Sequence, residues 1–298
     1  MKKQTPFSFW RNEEGRAMLA SLSGGGLIVI CKVWAYFLCG SLAVMADMME
    51  SLVHNLAVVF AAYCLWVSHR PADRNHLYGH GKIQFFSSGL EGALICGAAI
   101  LIWVQSWRNW LIGYEMANVR EGLILVAFAM VFNAILGWFL LWRGKQQQSI
   151  ILKANGLHVL SDSVTTLCAL LGVVAVSFTG YLWIDLLIAL GGAVYIFYEG
   201  IGLVRASFSG LMDEADLKVD QVVRDVLDEE CAEHNCTYHA LRHRSEGNRH
   251  WLELHLVFKT DASLAEAHEM ATHLETKLRD QFSEPIMITT HMEPAKVD

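Results

Sequence analysis

The chain has 298 residues, is 54% hydrophobic and only 18% charged, and carries a formal net charge of -7. That composition excludes an ordinary soluble domain, because the apolar residues lie overwhelmingly before residue 205, and the acidic balance argues against a nucleic-acid partner. What remains is a polytopic membrane protein with a soluble tail.

Runs of about 20 apolar residues suffice to cross a hydrocarbon layer of ~30 Å. Six such runs are predicted, at Ala17 to Leu38, Leu42 to Val67, Ile83 to Trp107, Leu123 to Trp142, Ile150 to Phe178 and Leu182 to Val204. The preceding segment, Met1 to Arg16, is polar and lacks the apolar core and small-residue site of a cleavable signal peptide, so the first span is expected to be retained. An even number of spans puts both termini on one side. Lys2, Lys3, Arg11, Arg16, Arg70, Arg74, Lys82, Arg143, Lys145, Lys153 and Arg205 fall at that face, against Arg108 and Arg120 at the other. The positive-inside rule then makes both termini cytoplasmic.

The second span contains Glu50 and His54, and the fifth contains His158 and Asp162. A spacing of i, i+4 puts each pair on one helix face. Packed together, the two helices would present four nitrogen and oxygen ligands around one point, a set suited to a tetrahedral divalent metal. An ionisable group in hydrocarbon costs at least ~2.5 kcal/mol, so four of them point to a transported cation. Two carboxylates offset a divalent charge, while two imidazoles favour zinc, ferrous iron, cobalt or nickel over magnesium or calcium. Imidazoles also titrate near neutral pH and must be unprotonated to bind metal, so protons compete with the cation at this site. Asp47 lies three residues before Glu50 on the same face. It reads as an outer-shell or proton-relay group, or as a cap for the external end of the helix.

The connections around Gly40 and Gly180 are very short, and the run Arg143 to Ser149 reads as a plain linker. The loop Ser68 to Lys82 is longer and carries Asp73, His76 and His80, which could converge on a metal. Its His-x-x-x-His step also admits a membrane di-iron enzyme. That class needs several histidine boxes on the cytoplasmic face, and the other histidines lie within spans or in the tail. A metal sensor that binds without transporting is the third reading, and the intramembrane tetrad argues against it.

From about Ser209 the chain turns polar. A helix is predicted from Leu217 to Cys231, with Leu217, Val219, Val222, Val223, Val226 and Leu227 setting its period. A weak strand follows at Tyr238 to Arg242, then a strictly alternating one at Trp251 to Phe258. A helix from Ser263 to Phe282 should bury Leu264, Ala267, Ala271, Leu274 and Leu278 behind a Ser263/Glu266 capping box. A last strand runs from Pro285 to His291. The expected division is a transmembrane domain, 1–208, and a cytoplasmic α-β-β-α-β domain, 209–298.

Eight of the 13 histidines lie in this tail. His239, His255, His268, His291 and Glu293 suggest a binuclear regulatory zinc site, whereas His234, His243, His250 and His273 read as histidine-rich surface. The seven cysteines, Cys31, Cys39, Cys64, Cys96, Cys168, Cys231 and Cys236, show no C-x-x-C spacing and no disulfide framework, though Cys231 and Cys236 could take a soft metal.

Together these features resemble the cation diffusion facilitators, in particular their compact bacterial homodimeric zinc and iron exporters. The resemblance rests on six spans with an α-β-β-α-β tail, on His158-x-x-x-Asp162 and on the loop from Pro-Ala-Asp73 to Gly-His80-Gly-Lys82. In the tail it rests on Leu-Glu-Leu-His255, Glu-Ala-His268 and Thr-His291-Met-Glu293. It implies a Y-shaped homodimer, not an enzyme, that exchanges cytoplasmic metal for external protons by alternating access. Zinc is the first expected cargo, with ferrous iron, manganese, cobalt, nickel and cadmium behind it. The resemblance further implies Glu50, His54, His158 and Asp162 as transport ligands, Asp73, His76 and His80 as a loop site, and His239, His255, His268, His291 and Glu293 around a tail site. Lys82 and Asp213 would form a charge interlock near the dimer interface. The chain departs from the family pattern in two places, the second-span pair and the last tail ligand. Glu50 stands where Asp or His is usual and His54 where Asp is usual, and Glu293 replaces an Asp.

Overall fold

The computed structural model describes residues 13–68, 70–116, 118–146, 150–246, 249–282 and 285–295. Lys2, Lys3, Arg11 and the linker positions 147–149 lie outside the described residues, as does the side chain of Lys153. Six helices are long and apolar enough to cross a membrane. They are α1 (Glu13–Cys39), α2 (Leu42–Ser68), α3 (Ile83–Ile112), α4 (Val119–Gln146), α5 (Ile150–Thr179) and α6 (Leu182–Leu211). Each predicted span falls within one of them, and several extend a turn or more beyond the apolar run, because helical hydrogen bonding continues where hydropathy fades. Gly40 and Gly180 make the two tightest connections with φ of +67° and +72°, a left-handed backbone that a side chain would strain.

Contacts divide the chain into two compact units, one of Met1–Trp66 with Ser87–Arg205 and one of Val67–Phe86 with Ala206–Asp298. Two of the apolar clusters in the first unit each pack three helices together. One joins α1, α4 and α5 through Ile28, Ala129, Leu136, Leu140 and Val159. The other joins α2, α3 and α6 through Ala46, Ile95, Ala99, Ile102, Ala193 and Ile196. In lipid, helices gain little from apolar burial and associate through close packing at small residues. Gly137 and Gly156 provide this between α4 and α5. A Cβ on Gly156 would lie 2.7 Å from the Leu141 nitrogen and 3.0 Å from the Gly137 carbonyl oxygen.

In the second unit, α7 (Leu217–His234), β1 (Thr237–Ser245), β2 (His250–Phe258), α8 (Leu264–Asp280) and β3 (Ile286–Pro294) follow the predicted order. The sheet order is β1-β2-β3, with β1 antiparallel and β3 parallel to β2. Alternation along β2 buries Leu252, Leu254 and Leu256 to 1% exposure or less. Val223 and Leu227 of α7 and Ala271, Leu274 and Leu278 of α8 cover them. Each such leucine contributes ~1.5–3 kcal/mol by leaving water. The Ser263/Glu266 capping box is present.

Three helix positions differ from expectation. Leu217, Val222 and Leu264 are exposed, Leu217 and Leu264 because each is the first residue of its helix, before the apolar stripe reaches the sheet. The strand β3 runs on to Pro294, which brings Glu293 into the sheet.

The α4/α5 crossing gives a direct test. Gly156→Leu should lower the unfolding temperature of the detergent-solubilised protein by several degrees. Gly97→Leu, at a position with open space around it, should change it little. Equal melting of the two variants would remove close backbone approach as the basis of this crossing.

Candidate metal centres

The run Leu42 to Ser68 contains no glycine or proline, so α2 is unbroken through Glu50 and His54. Both lie on the side of α2 that meets α5. The rings of His54 and His158 stand 3.9 Å apart between centroids, and His158 Nε2 is 3.6 Å from Asp162 Oδ1. Glu50 and Asp162 are buried. His54 Nδ1, His158 Nε2 and Asp162 Oδ1 are buried atoms without a hydrogen-bond partner. A cavity of about 20 Å³ touches His54 and Asp162 and is lined also by Ser51, Asn55 and Asn133, enough for one water-sized occupant. The structure thus brings His54, His158 and Asp162 together with Glu50 one turn away. Among the described residues, ligand atoms drawn to within 4.8 Å of one another occur in the loop and tail, not across this tetrad.

One turn along α2 from Glu50 lies a second polar group. Lys32 of α1 is fully buried and donates to Asp47 Oδ1 at 2.8 Å and to Ser51 Oγ at 2.7 Å. The Thr166 hydroxyl of α5, with its single proton, lies 2.7 Å from the same Asp47 oxygen, to which it can donate, and 2.7 Å from the carbonyl oxygen of Asp162, one turn back on its own helix. Asp47 is therefore tied to α1 and α5 and does not cap its own helix. The cap comes from Asp185 of α6, which accepts from the Leu42 and Ala43 N–H groups at 2.6 and 3.2 Å. Sequence reasoning that stopped at four intramembrane ionisable residues missed Lys32, Glu91, Asp185 and Glu199. Each is a charge inside an apolar run, detectable by the same cost argument. Glu91 Oε1 stands 3.5 Å from His54 Nδ1, too far for a hydrogen bond of good geometry, and Glu199 accepts from Tyr195 at 2.5 Å.

In the loop, Asp73 accepts from the backbone N–H of Asn75 and His76 at 2.9 and 2.8 Å. The His76 N–H, then the Asn75 N–H, hold its carboxyl below the usual carboxylate range. His76 Nδ1 and His80 Nε2 lie 3.1 and 3.4 Å from its two oxygens, so the three residues do converge. Lys82 pairs with Asp213 at 2.9 Å. Arg244 lies over the rings of Tyr78 and Trp251, linking the loop to the sheet of the same unit.

The strand register sets the tail centre. His239, His255 and His291 are direct partners across β1, β2 and β3, on the face opposite the buried leucines. Glu293 lies 3.1 Å from His239 Nε2, 2.8 Å from His255 Nδ1 and 3.7 Å from His291 Nε2. The hydrogen bond to His239 is the largest influence and, with that to His255, holds its carboxyl below the usual range against an opposing desolvation effect. His268 does not join this row. It is exposed on α8, which covers the other side of the sheet. Cys231 and Cys236 are free and buried in the tail core. The hydrogen bond that Cys231 donates to Cys236, followed by burial, pushes the Cys231 thiol up, while the same bond holds Cys236 down, so the pair disfavours the second of two thiolates that a soft metal would take. His243 stands 3.6 Å from Asp220 and His250 packs on Phe282. His234 and His273, read from sequence as plain surface, instead meet around Glu230.

Two family models match the chain. The cation efflux transmembrane domain covers residues 18–212, and the cytoplasmic domain of cation efflux proteins covers 216–295. Among curated proteins, the chain is 30% identical over 266 residues to the uncharacterized transporter sll1263 of Synechocystis sp., covering 88% of this chain and 84% of that protein. It is 27% identical over 283 residues to the cation-efflux pump FieF of Escherichia coli, covering 95% and 93%, and equally to FieF of Escherichia fergusonii.

The buried ion pair yields a measurable expectation. Lys32→Met leaves Asp47 charged and unpaired and should destabilise the protein by about 3–5 kcal/mol, while Lys32→Met with Asp47→Leu should recover most of that loss. Thermal unfolding in detergent reads both. A double variant as unstable as the single one would mean that Lys32 acts through packing.

Proposed function

We propose that this chain, which belongs to the cation efflux family, exports a divalent transition metal from the cytoplasm in exchange for protons, through Glu50, His54, His158 and Asp162. Family membership makes it a multi-pass membrane transporter of metal cations. The cargo, the proton coupling and the ligand set are what the proposal adds.

One observation carries the ligand set. Three buried polar atoms, on His54, His158 and Asp162, make no hydrogen bond in an apolar interior. An unsatisfied buried polar group costs ~1–3 kcal/mol, and one bound cation would satisfy all three. Glu50, one turn away, supplies the second carboxylate and completes the charge balance for a divalent ion. Two imidazoles with two carboxylates suit zinc first, then ferrous iron, manganese, cobalt, nickel and cadmium. The imidazoles must be neutral to coordinate, so loading from the cytoplasm displaces protons and their return from outside releases the metal.

In this reading both termini are cytoplasmic in the inner membrane, residues 1–208 transport and 209–298 bind metal and dimerise. The homodimer is supported by the match to the cytoplasmic-domain model, and Lys82 with Asp213 would interlock near its interface. Asp73, His76 and His80, and separately His239, His255, His291 and Glu293, are proposed auxiliary sites, where a metal would neutralise charge and cross-link chain segments. Asp47 is proposed as an outer-shell group, acting through Thr166 on the helix that carries Asp162.

Inverted membrane vesicles with an imposed pH gradient test this. Asp162→Ala should reduce zinc uptake by about tenfold or more, the scale on which even outer-layer groups of a metal site act. Dissipating the gradient should slow the wild type similarly. Unchanged uptake by Asp162→Ala would sink the ligand assignment, and indifference to the gradient would sink the coupling. His54→Asp should shift selectivity between zinc and manganese or iron; no shift would move cargo choice to other residues.

A further inference from the structure

The helical side of the tail holds a cluster separate from the three-histidine row. Glu230 and His234 lie at i, i+4 on α7, and His273 projects from α8 toward them. The residues that fix this approach are the core contacts beneath it, Val223 and Leu227 of α7 against Ala271, Leu274 and Leu278 of α8. Glu230 is buried to 6% exposure, an uncommon place for a carboxylate. His234 and His273 remain partly open to solvent, with rings 5.6 Å apart and edge-on to one another. Glu230 Oε2 is 3.0 Å from His273 Nε2 and 3.8 Å from His234 Nε2. Ligand atoms around a tetrahedral zinc with bonds of about 2.0–2.1 Å stand about 3.3 Å apart, so the two separations bracket what a metal would impose.

We propose that Glu230, His234 and His273 form a further metal site, for a divalent ion of the zinc, copper or nickel class, with its fourth position open to water. Three features favour a cation there. The donors are two nitrogens and one oxygen, the set such ions prefer. His234 is the last residue of α7, where the unpaired carbonyl groups of the helix end carry partial negative charge. Lys277 engages only the other oxygen, Oε1, at 3.2 Å, leaving Oε2 for the metal while compensating the buried charge when the site is empty. Filling the site would pin the C-terminal turn of α7 to the middle of α8. It stands on the opposite face of the sheet from His239, His255 and His291, and its existence does not depend on the transport reading.

The test counts metal rather than transport. Full-length protein, stripped of metal and purified in detergent, is equilibrated with zinc, and bound zinc per chain is measured by elemental analysis. His273→Gln and His234→Gln should each bind one zinc fewer per chain than wild type, with unchanged elution and circular dichroism. His273→Cys, which returns a zinc ligand, should recover that equivalent. If one Gln variant fails to fold, the other, also at a solvent-open position, carries the comparison. Equal zinc counts in wild type and the folded Gln variants would overturn the site and leave Glu230 as the centre of an ordinary ion-pair network.

Discussion

A charge removed from water into hydrocarbon must find a partner or leave, and the membrane unit is arranged around that constraint. Apolar packing joins its helices, α1 with α4 and α5, α2 with α3 and α6, and α1, α2, α4 and α5 together through Ala35, Cys39, Val44, Val126 and Val173, but such packing alone would tolerate small slips along the helices. Lys32, Asp47, Ser51 and Thr166 prevent this by hydrogen bonds that cross from α1 to α2 and from α2 to α5. These bonds have no competing water, so breaking one strands a charge or a buried donor. That is why a dehydrated ion pair can define register even where it adds little net stability. Because Thr166 stands one helical turn from Asp162 on α5, the register so fixed is that of the proposed metal ligands.

Much of this was legible in the sequence. Apolar length gave the six spans, period-two alternation gave β2, and Ser263 with Glu266 gave the start of α8. The four transport candidates emerged from two i, i+4 pairs. Periodicity reports which residues share a face within one element, however, and says little about which elements meet. Lys32 has no partner within its own helix, so it produced no motif despite lying in an apolar run. Asp185 caps a helix that begins over a hundred residues earlier. His234 and His273 acquire meaning only through the α7/α8 packing that brings them to Glu230.

The same limit applies to the tail row. Each histidine could be assigned to a strand from sequence, but their alignment depends on β3 running parallel to β2 through Pro294. A shift of one residue would turn His291 and Glu293 to the leucine face. That shift would also turn Ile286, Ile288 and Met292 away from the leucine core against which they pack, so the apolar core enforces the register of the histidine row.

The charge balance of the seam bears on the departure at Glu50 and His54. Lys32 and Asp47 cancel, so the fixed pair contributes no net charge to the proposed site and the cargo must be balanced by the ligands themselves. With His54 in place of a carboxylate, the tetrad holds only Glu50 and Asp162, just enough for a divalent ion. Glu91, 3.5 Å from His54, stands where it can restore a third carboxylate near the site without occupying a ligand position. A carboxylate removed from position 54 but present behind it still attracts cations, while the atom presented to the metal becomes nitrogen. Under the proposed ligand assignment, the electrostatics of a carboxylate-rich site would be retained while the ligand chemistry would move toward metals that prefer imidazole.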